Sequence, residues 1–190
     1  MKQIMEIRWH GRGGQGAKTA ALALAESGLR EGKYIQGFPE YGPERMGAPI
    51  QAFTRISDKP ITIHSHVTNP DVVVVLDTTL LEMVDVTAGM SPEGIFLANS
   101  PNSPGEIREQ LDLSAGKVFT VDATSISLAT LGRNIPNTPM LGALIKATGI
   151  LTIDTVITDV KEKFEKKFSQ KIVDGNIEAI KRAYEEVRSA

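Results

Sequence analysis

The part of this chain whose residue types could do chemistry most directly is the run Gly11, Arg12, Gly13, Gly14, Gln15 and Gly16, followed shortly by Lys18. Gly11, Gly13 and Gly16 fit G-x-G-x-x-G between a strand-like and a helix-like segment. Glycine there can take positive φ, and without a Cβ it lets backbone N–H groups close on a phosphate at the helix N-terminus, where the macrodipole favours an anion. Two familiar uses of such a loop fail on detail. A Walker A loop has lysine directly after its last glycine, and here Ala17 precedes Lys18 and Thr19. A nicotinamide-dinucleotide fold expects a carboxylate about 20 positions on, at the end of the second strand. That neighbourhood holds Tyr34, Ile35, Gln36 and Gly37. Two readings stay open: a phosphate or pyrophosphate cradle, and a tight strand-to-helix turn without ligand.

A second segment, FPEYGPERMGAP, carries three prolines and two glycines around Glu40, Tyr41, Glu44 and Arg45. It is stiffened without being helical. Following the second strand, it should lie at the carboxyl edge of a doubly wound sheet beside the glycine loop, as a subunit-interface or active-site loop or as a rigid surface turn. Asn137, Thr138 and Pro139 read as a helix entry. His64 and His66 would share one strand face, but no third ligand stands near them, which favours a solvent or interface face over a metal. His10 precedes the glycine loop and is placed to orient it. No nucleophile elbow or HExxH motif occurs, so no catalytic residue is assigned.

The elements that must position these groups alternate. Ile4 to His10 reads as a strand, Gln15 to Gly32 as an Ala-rich helix, and Tyr34 to Phe38 as a second strand. Ile50 to Ser57 and Ile61 to His66 are expected to pair as a hairpin around Ser57, Asp58, Lys59 and Pro60. Asp71 to Asp77 is a β-branched run of the kind buried on both faces of a parallel sheet, with a helical stretch expected from Thr78. Gly94 to Asn99 and Lys117 to Asp122 repeat the strand pattern, each followed by residues suited to starting a helix or turn. The C-terminal third reads as helical, with Val173, Ile177, Ile180, Tyr184 and Val187 on one stripe, and with Phe164 and Phe168 as core-facing rings in a charged segment. The expected fold is α/β: a single Rossmann-like domain over residues 1–190, with a largely parallel sheet flanked by helices and a helical C-terminal segment.

Composition narrows the partners. With 41% hydrophobic residues the chain can bury one sizeable core, and a formal net charge of -2 gives no basic face for nucleic acid. The start, MKQIMEIRWHGRGG, is too polar for a signal peptide. No apolar run reaches the roughly 20 residues of a membrane span, so a cytoplasmic protein is expected. The chain has no cysteine, hence no thiolate for an iron–sulfur cluster.

WHGRGGQG, FPEYGPERMGAP, NPDVVVVLD and IPNTPMLGALIKATGI, in this order over essentially the whole chain, resemble the gamma subunit of pyruvate and related 2-oxoacid:ferredoxin oxidoreductases. The resemblance implies a multi-subunit enzyme that decarboxylates a 2-oxoacid on thiamine diphosphate, passes electrons through iron–sulfur clusters to ferredoxin, and transfers the acyl group to coenzyme A. It implies that thiamine diphosphate and the clusters sit on partner subunits, and that this chain contributes to coenzyme A binding without being active alone. The glycine loop is then the candidate for the coenzyme's phosphates, with Lys18 or Arg12 as charge partner. Two alternatives stand beside it: the equivalent subunit of an indolepyruvate oxidoreductase, and a stand-alone nucleotide-binding module.

Overall fold

A computed structural model describes residues 4–40 and 47–190. In chain order the elements are β1 (Ile4–Arg12), α1 (Ala17–Arg30), β2 (Tyr34–Pro39), β3 (Pro49–Ser57), β4 (Val72–Val75), a 3₁₀ turn (Thr78–Glu82) and β5 (Ile95–Asn99). There follow α2 (Pro104–Gln110), β6 (Lys117–Val121), α3 (Ala123–Leu131), α4 (Asn137–Thr148), α5 (Ile153–Glu165), α6 (Gln170–Glu186) and β7 (Arg188–Ser189). All strands belong to one sheet of order β2-β3-β1-β4-β5-β6-β7. β1, β4, β5 and β6 run parallel, while β2 and β3 extend the sheet antiparallel on one side and β7 closes it antiparallel on the other.

The valine run of β4 shows why the sheet lies inside. Val72 and Val74 enter the larger core, built with α1, α3, α4, α5 and α6, whereas Val73 and Val75 enter a smaller core with the 3₁₀ turn and α2. A strand sandwiched between two cores has no reason to alternate with polar residues. Ala17, Ala20, Ala21, Leu24 and Ala25 of α1 are buried, and the small side chains of the alanines bring that helix close to the sheet. α4 and α6 approach closer still. A Cβ on Gly142 would lie 2.0 Å from the carbonyl oxygen of Ile180, so only glycine permits this crossing.

Three local expectations are corrected. Residues 61–66 form no strand, and the expected hairpin does not exist, because β1 and β2 already occupy both edges of β3. Instead this segment crosses the outer sheet face, where Ile63 and Ser65 accept hydrogen bonds through their carbonyls from Gln36 and the buried Arg55. His64 and His66 therefore share no strand face. The helix expected from Thr78 is only a 3₁₀ turn. The charged segment around Phe164 and Phe168 is broken between α5 and α6, leaving Phe168 48% exposed. Among the described residues no helix is long and apolar enough to cross a membrane.

Candidate functional site

The site is built at one edge of the sheet. β3 lies antiparallel to both β1 and β2, so these two point the same way and release their following loops on the same side. The second loop thus meets the glycine loop, as the doubly wound reading expected, although it gets there through an antiparallel strand. The two loops are joined: the Gly13 amide donates to the carbonyl of Ala48 at 2.9 Å, and the Gly47 amide donates to the carbonyl of Gly13 at 3.1 Å. Of the residues expected in the second loop, Glu40 is described, whereas Tyr41, Glu44 and Arg45 lie outside the described residues.

Trp9 fixes the strand that feeds the loop. It is fully buried, its indole N–H donates to the Thr54 hydroxyl at 3.1 Å, and that hydroxyl donates to the Ala21 carbonyl at 2.9 Å. One chain of bonds therefore ties β1 to β3 and α1. On the opposite face, Arg8 donates to the His10 Nε2 at 3.1 Å and to the carbonyls of Val86 and Ala88. Burial first, and the adjacent Arg8 charge second, push the His10 imidazole from 6.5 down to about 4, against a weaker opposing pull from Asp85. His10 is neutral here and holds β1 in place as an acceptor.

Within the loop, Gly14 and Gly16 take φ of 96° and 83°, and Gly16 occupies the cap position of α1 with no side chain to satisfy the first-turn amides. Gly16 also lies against Asn137 at the start of α4: a Cβ there would come within 2.6 Å of the Asn137 Nδ2. The Gln15 side chain folds back, accepting from the Arg12 amide at 2.7 Å and donating to Asp77 at 2.6 Å. Burial pushes the Asp77 carboxyl up, but hydrogen bonds from Thr79 and Gln15 and the charge of Arg12 outweigh it and hold it below the usual range. Arg12 is tied to the scaffold. It contacts Asp77 at 3.3 Å and donates to the Thr79 hydroxyl, the Gly47 carbonyl and Met83.

Lys18 behaves differently. Exposed on the first turn of α1, it makes no hydrogen bond or ion pair with the described residues. A groove of about 440 Å³ runs between Gly13, Gly14, Gly16, Lys18 and Thr19 on one side and Glu40 and Gln51 on the other. The structure thus brings the glycine loop, Lys18 and Glu40 together while committing Arg12 and Gln15 to the scaffold. Asp77, Thr79 and Asn137 complete the platform and were not singled out as its parts from sequence. An aspartate at the carboxyl end of a buried parallel strand was the available signal for the first of them. Among the described residues no three His, Asp or Glu side chains gather as a metal site.

The sequence profile of the pyruvate ferredoxin/flavodoxin oxidoreductase family matches residues 6–186. The chain is 50% identical to pyruvate synthase subunit PorC of Thermotoga maritima, over 98% of this chain and 96% of that one. It is also 50% identical to the pyruvate/ketoisovalerate oxidoreductases common subunit gamma of Pyrococcus abyssi, over 97% and 98% respectively. The crystal structure of the T. maritima pyruvate oxidoreductase subunit PORC superposes with a TM-score of 0.88 at 46% identity, covering 100% of this chain and 99% of that one. A 2-oxoglutarate:ferredoxin oxidoreductase from Magnetococcus marinus, with 2-oxoglutarate, coenzyme A and succinyl-CoA bound, shares the fold at a TM-score of 0.76 and 19% identity; the match covers 96% of this chain and 31% of that one.

Proposed function

The chain belongs to the pyruvate ferredoxin/flavodoxin oxidoreductase family, as a gamma-type subunit of a multi-subunit oxidoreductase of the pyruvate synthase kind, and from that premise we propose that its glycine-loop groove binds the phosphates of coenzyme A. In the complete reaction a 2-oxoacid and coenzyme A give acyl-CoA and carbon dioxide while ferredoxin takes up the electrons. Thiamine diphosphate supplies the decarboxylation and iron–sulfur clusters the electron path; both are assigned to partner subunits, the clusters because a chain without cysteine offers no thiolate to hold them. Ferredoxin is reached through the assembled complex. A cytoplasmic location belongs to the same reading. The two 50% identical relatives are named for pyruvate or ketoisovalerate, which favours these over an aryl pyruvate.

The observation that carries the reading is a cation that pairs with none of the described residues, beside an uncapped, glycine-lined helix start. Lys18 supplies the charge and the first-turn amides of α1 supply donors, an arrangement suited to a pyrophosphate. Asp77, Thr79 and Gly47 hold the Arg12 guanidinium, which favours Lys18 as the charge partner. Among the described residues Glu40 is the one carboxylate lining the groove, so the phosphates belong on the Gly13 to Lys18 side. Lys18→Gln tests this in the reconstituted complex. The KM for coenzyme A should rise about tenfold, the loss expected for one charged hydrogen bond. The turnover number at saturating coenzyme and the thermal midpoint of the subunit should stay unchanged. An unaltered KM would remove the phosphates from this groove.

A further inference from the structure

Next to the glycine-loop groove, with which it shares Thr19, a second groove of about 780 Å³ opens where the end of α3 meets the junction of α5 and α6. Leu128, Ile135, Phe168 and Ile172 line it and remain 50%, 36%, 48% and 42% exposed. Four large apolar side chains meeting at one open surface differ from the scattered exposed leucines of an ordinary monomer. α3 points the same way. Its sequence, ATSISLATL, contains no charged residue; it buries Ile126 in the core and turns Leu128 outward, as a helix does when both sides are to be covered.

Among the described residues the charges lining the groove are Arg133 and Lys171, and no carboxylate lines it. Neither side chain pairs with a described residue. Lys166 and Lys167, on the turn between α5 and α6, add charge of the same sign nearby. A second copy of this chain is a poor occupant, because a two-fold interface would set these cations against their own counterparts. We infer that the groove docks an apolar segment with flanking carboxylates, carried by a partner subunit of the same complex. The inference rests on this chain being a subunit and not on where coenzyme A binds, so either can fail alone.

Carbodiimide cross-linking of the intact wild-type complex tests it, since this reagent joins a lysine amine to a carboxylate in direct contact. Lys171 should be joined to an aspartate or glutamate of another polypeptide. Amide exchange over residues 125–135 and 166–176 should be slower in the complex than in the free subunit. Arg133→Glu combined with Lys171→Glu should weaken assembly about tenfold or more, the scale of desolvated interfacial charges. The free variant should melt like the wild type, because neither side chain supports the fold. Cross-links from Lys171 only to a second copy of this chain would overturn the inference. Exchange slowed by coenzyme A alone would do the same, as would exchange and assembly that do not change at all.

Discussion

At the scale of single residues, His10 makes the stability of the fold depend on pH. Its folded value of about 4 lies below the ordinary 6.5, so the unfolded chain takes up a proton that the folded chain refuses across this interval. The stabilisation is complete above 6.5, is lost as pH falls towards 4, and changes no further below that. A shift of this size corresponds to about 3 kcal/mol. His10→Gln keeps an acceptor for Arg8 and removes the titration, so its urea midpoint should fall less than that of the wild type between neutral and acid pH. Equal losses would mean that carboxylates account for the whole effect. Gly16 is constrained twice, by φ of 83° and by Asn137, so Gly16→Ala should cost about 1–3 kcal/mol. In an Asn137→Ala background the steric part should vanish and the backbone part remain, which a double-mutant cycle measures as coupling. GRGGQG announces a phosphate-sized turn, but Asn137 comes from far along the chain and reads locally as a helix entry. Arg12 was equally ambiguous, since a guanidinium beside glycines looks the same in sequence whether it faces an anion or holds Asp77.

At the scale of elements, legibility followed burial. The β4 run was readable because both its faces are covered, and the starts of the helices after β5 and β6 were readable from their caps. Ser103 and Glu106 form a reciprocal capping box on α2, and Asp122 accepts from the Ser125 amide at the start of α3. Ser103→Ala should therefore cost about 1 kcal/mol in thermal or chemical unfolding. Pairing partners were not readable. Ile50 to Ser57 has a strand's composition, but nothing local says that its edges go to β1 and β2 rather than to the nearest downstream segment. Gly142 shows the same limit in a helix, where the sequence reads as a weak helix former and the structure requires its missing Cβ. Gly142→Ala gains roughly 1 kcal/mol of helix propensity, yet it places a carbon on the Ile180 carbonyl, and overpacking of that kind costs more than it gains. Net destabilisation in urea is the expected outcome, and a more stable variant would mean that α6 can move aside.

For the whole molecule, the division of labour predicts that the free chain binds but does not turn over. Oxidation of a 2-oxoacid with ferredoxin by this polypeptide alone would contradict the placement of every redox group on partner subunits. The groove by α3 and the glycine-loop groove both include Thr19, so the proposed assembly surface and the proposed coenzyme site are neighbours. The platform around the glycine loop also sets an order in time. Its clasps join residues distant in the chain: Arg12 bonds to Gly47 across 35 positions and to Thr79 across 67, and Asn137 packs close over Gly16. During synthesis the loop emerges first and waits for each clasp in turn, since distant contacts form only after the intervening chain has been closed at an entropic cost. A nascent chain halted before residue 137 would carry the whole glycine sequence but lack its last support, so the proposed binding of coenzyme A should appear only once α4 has packed against the loop.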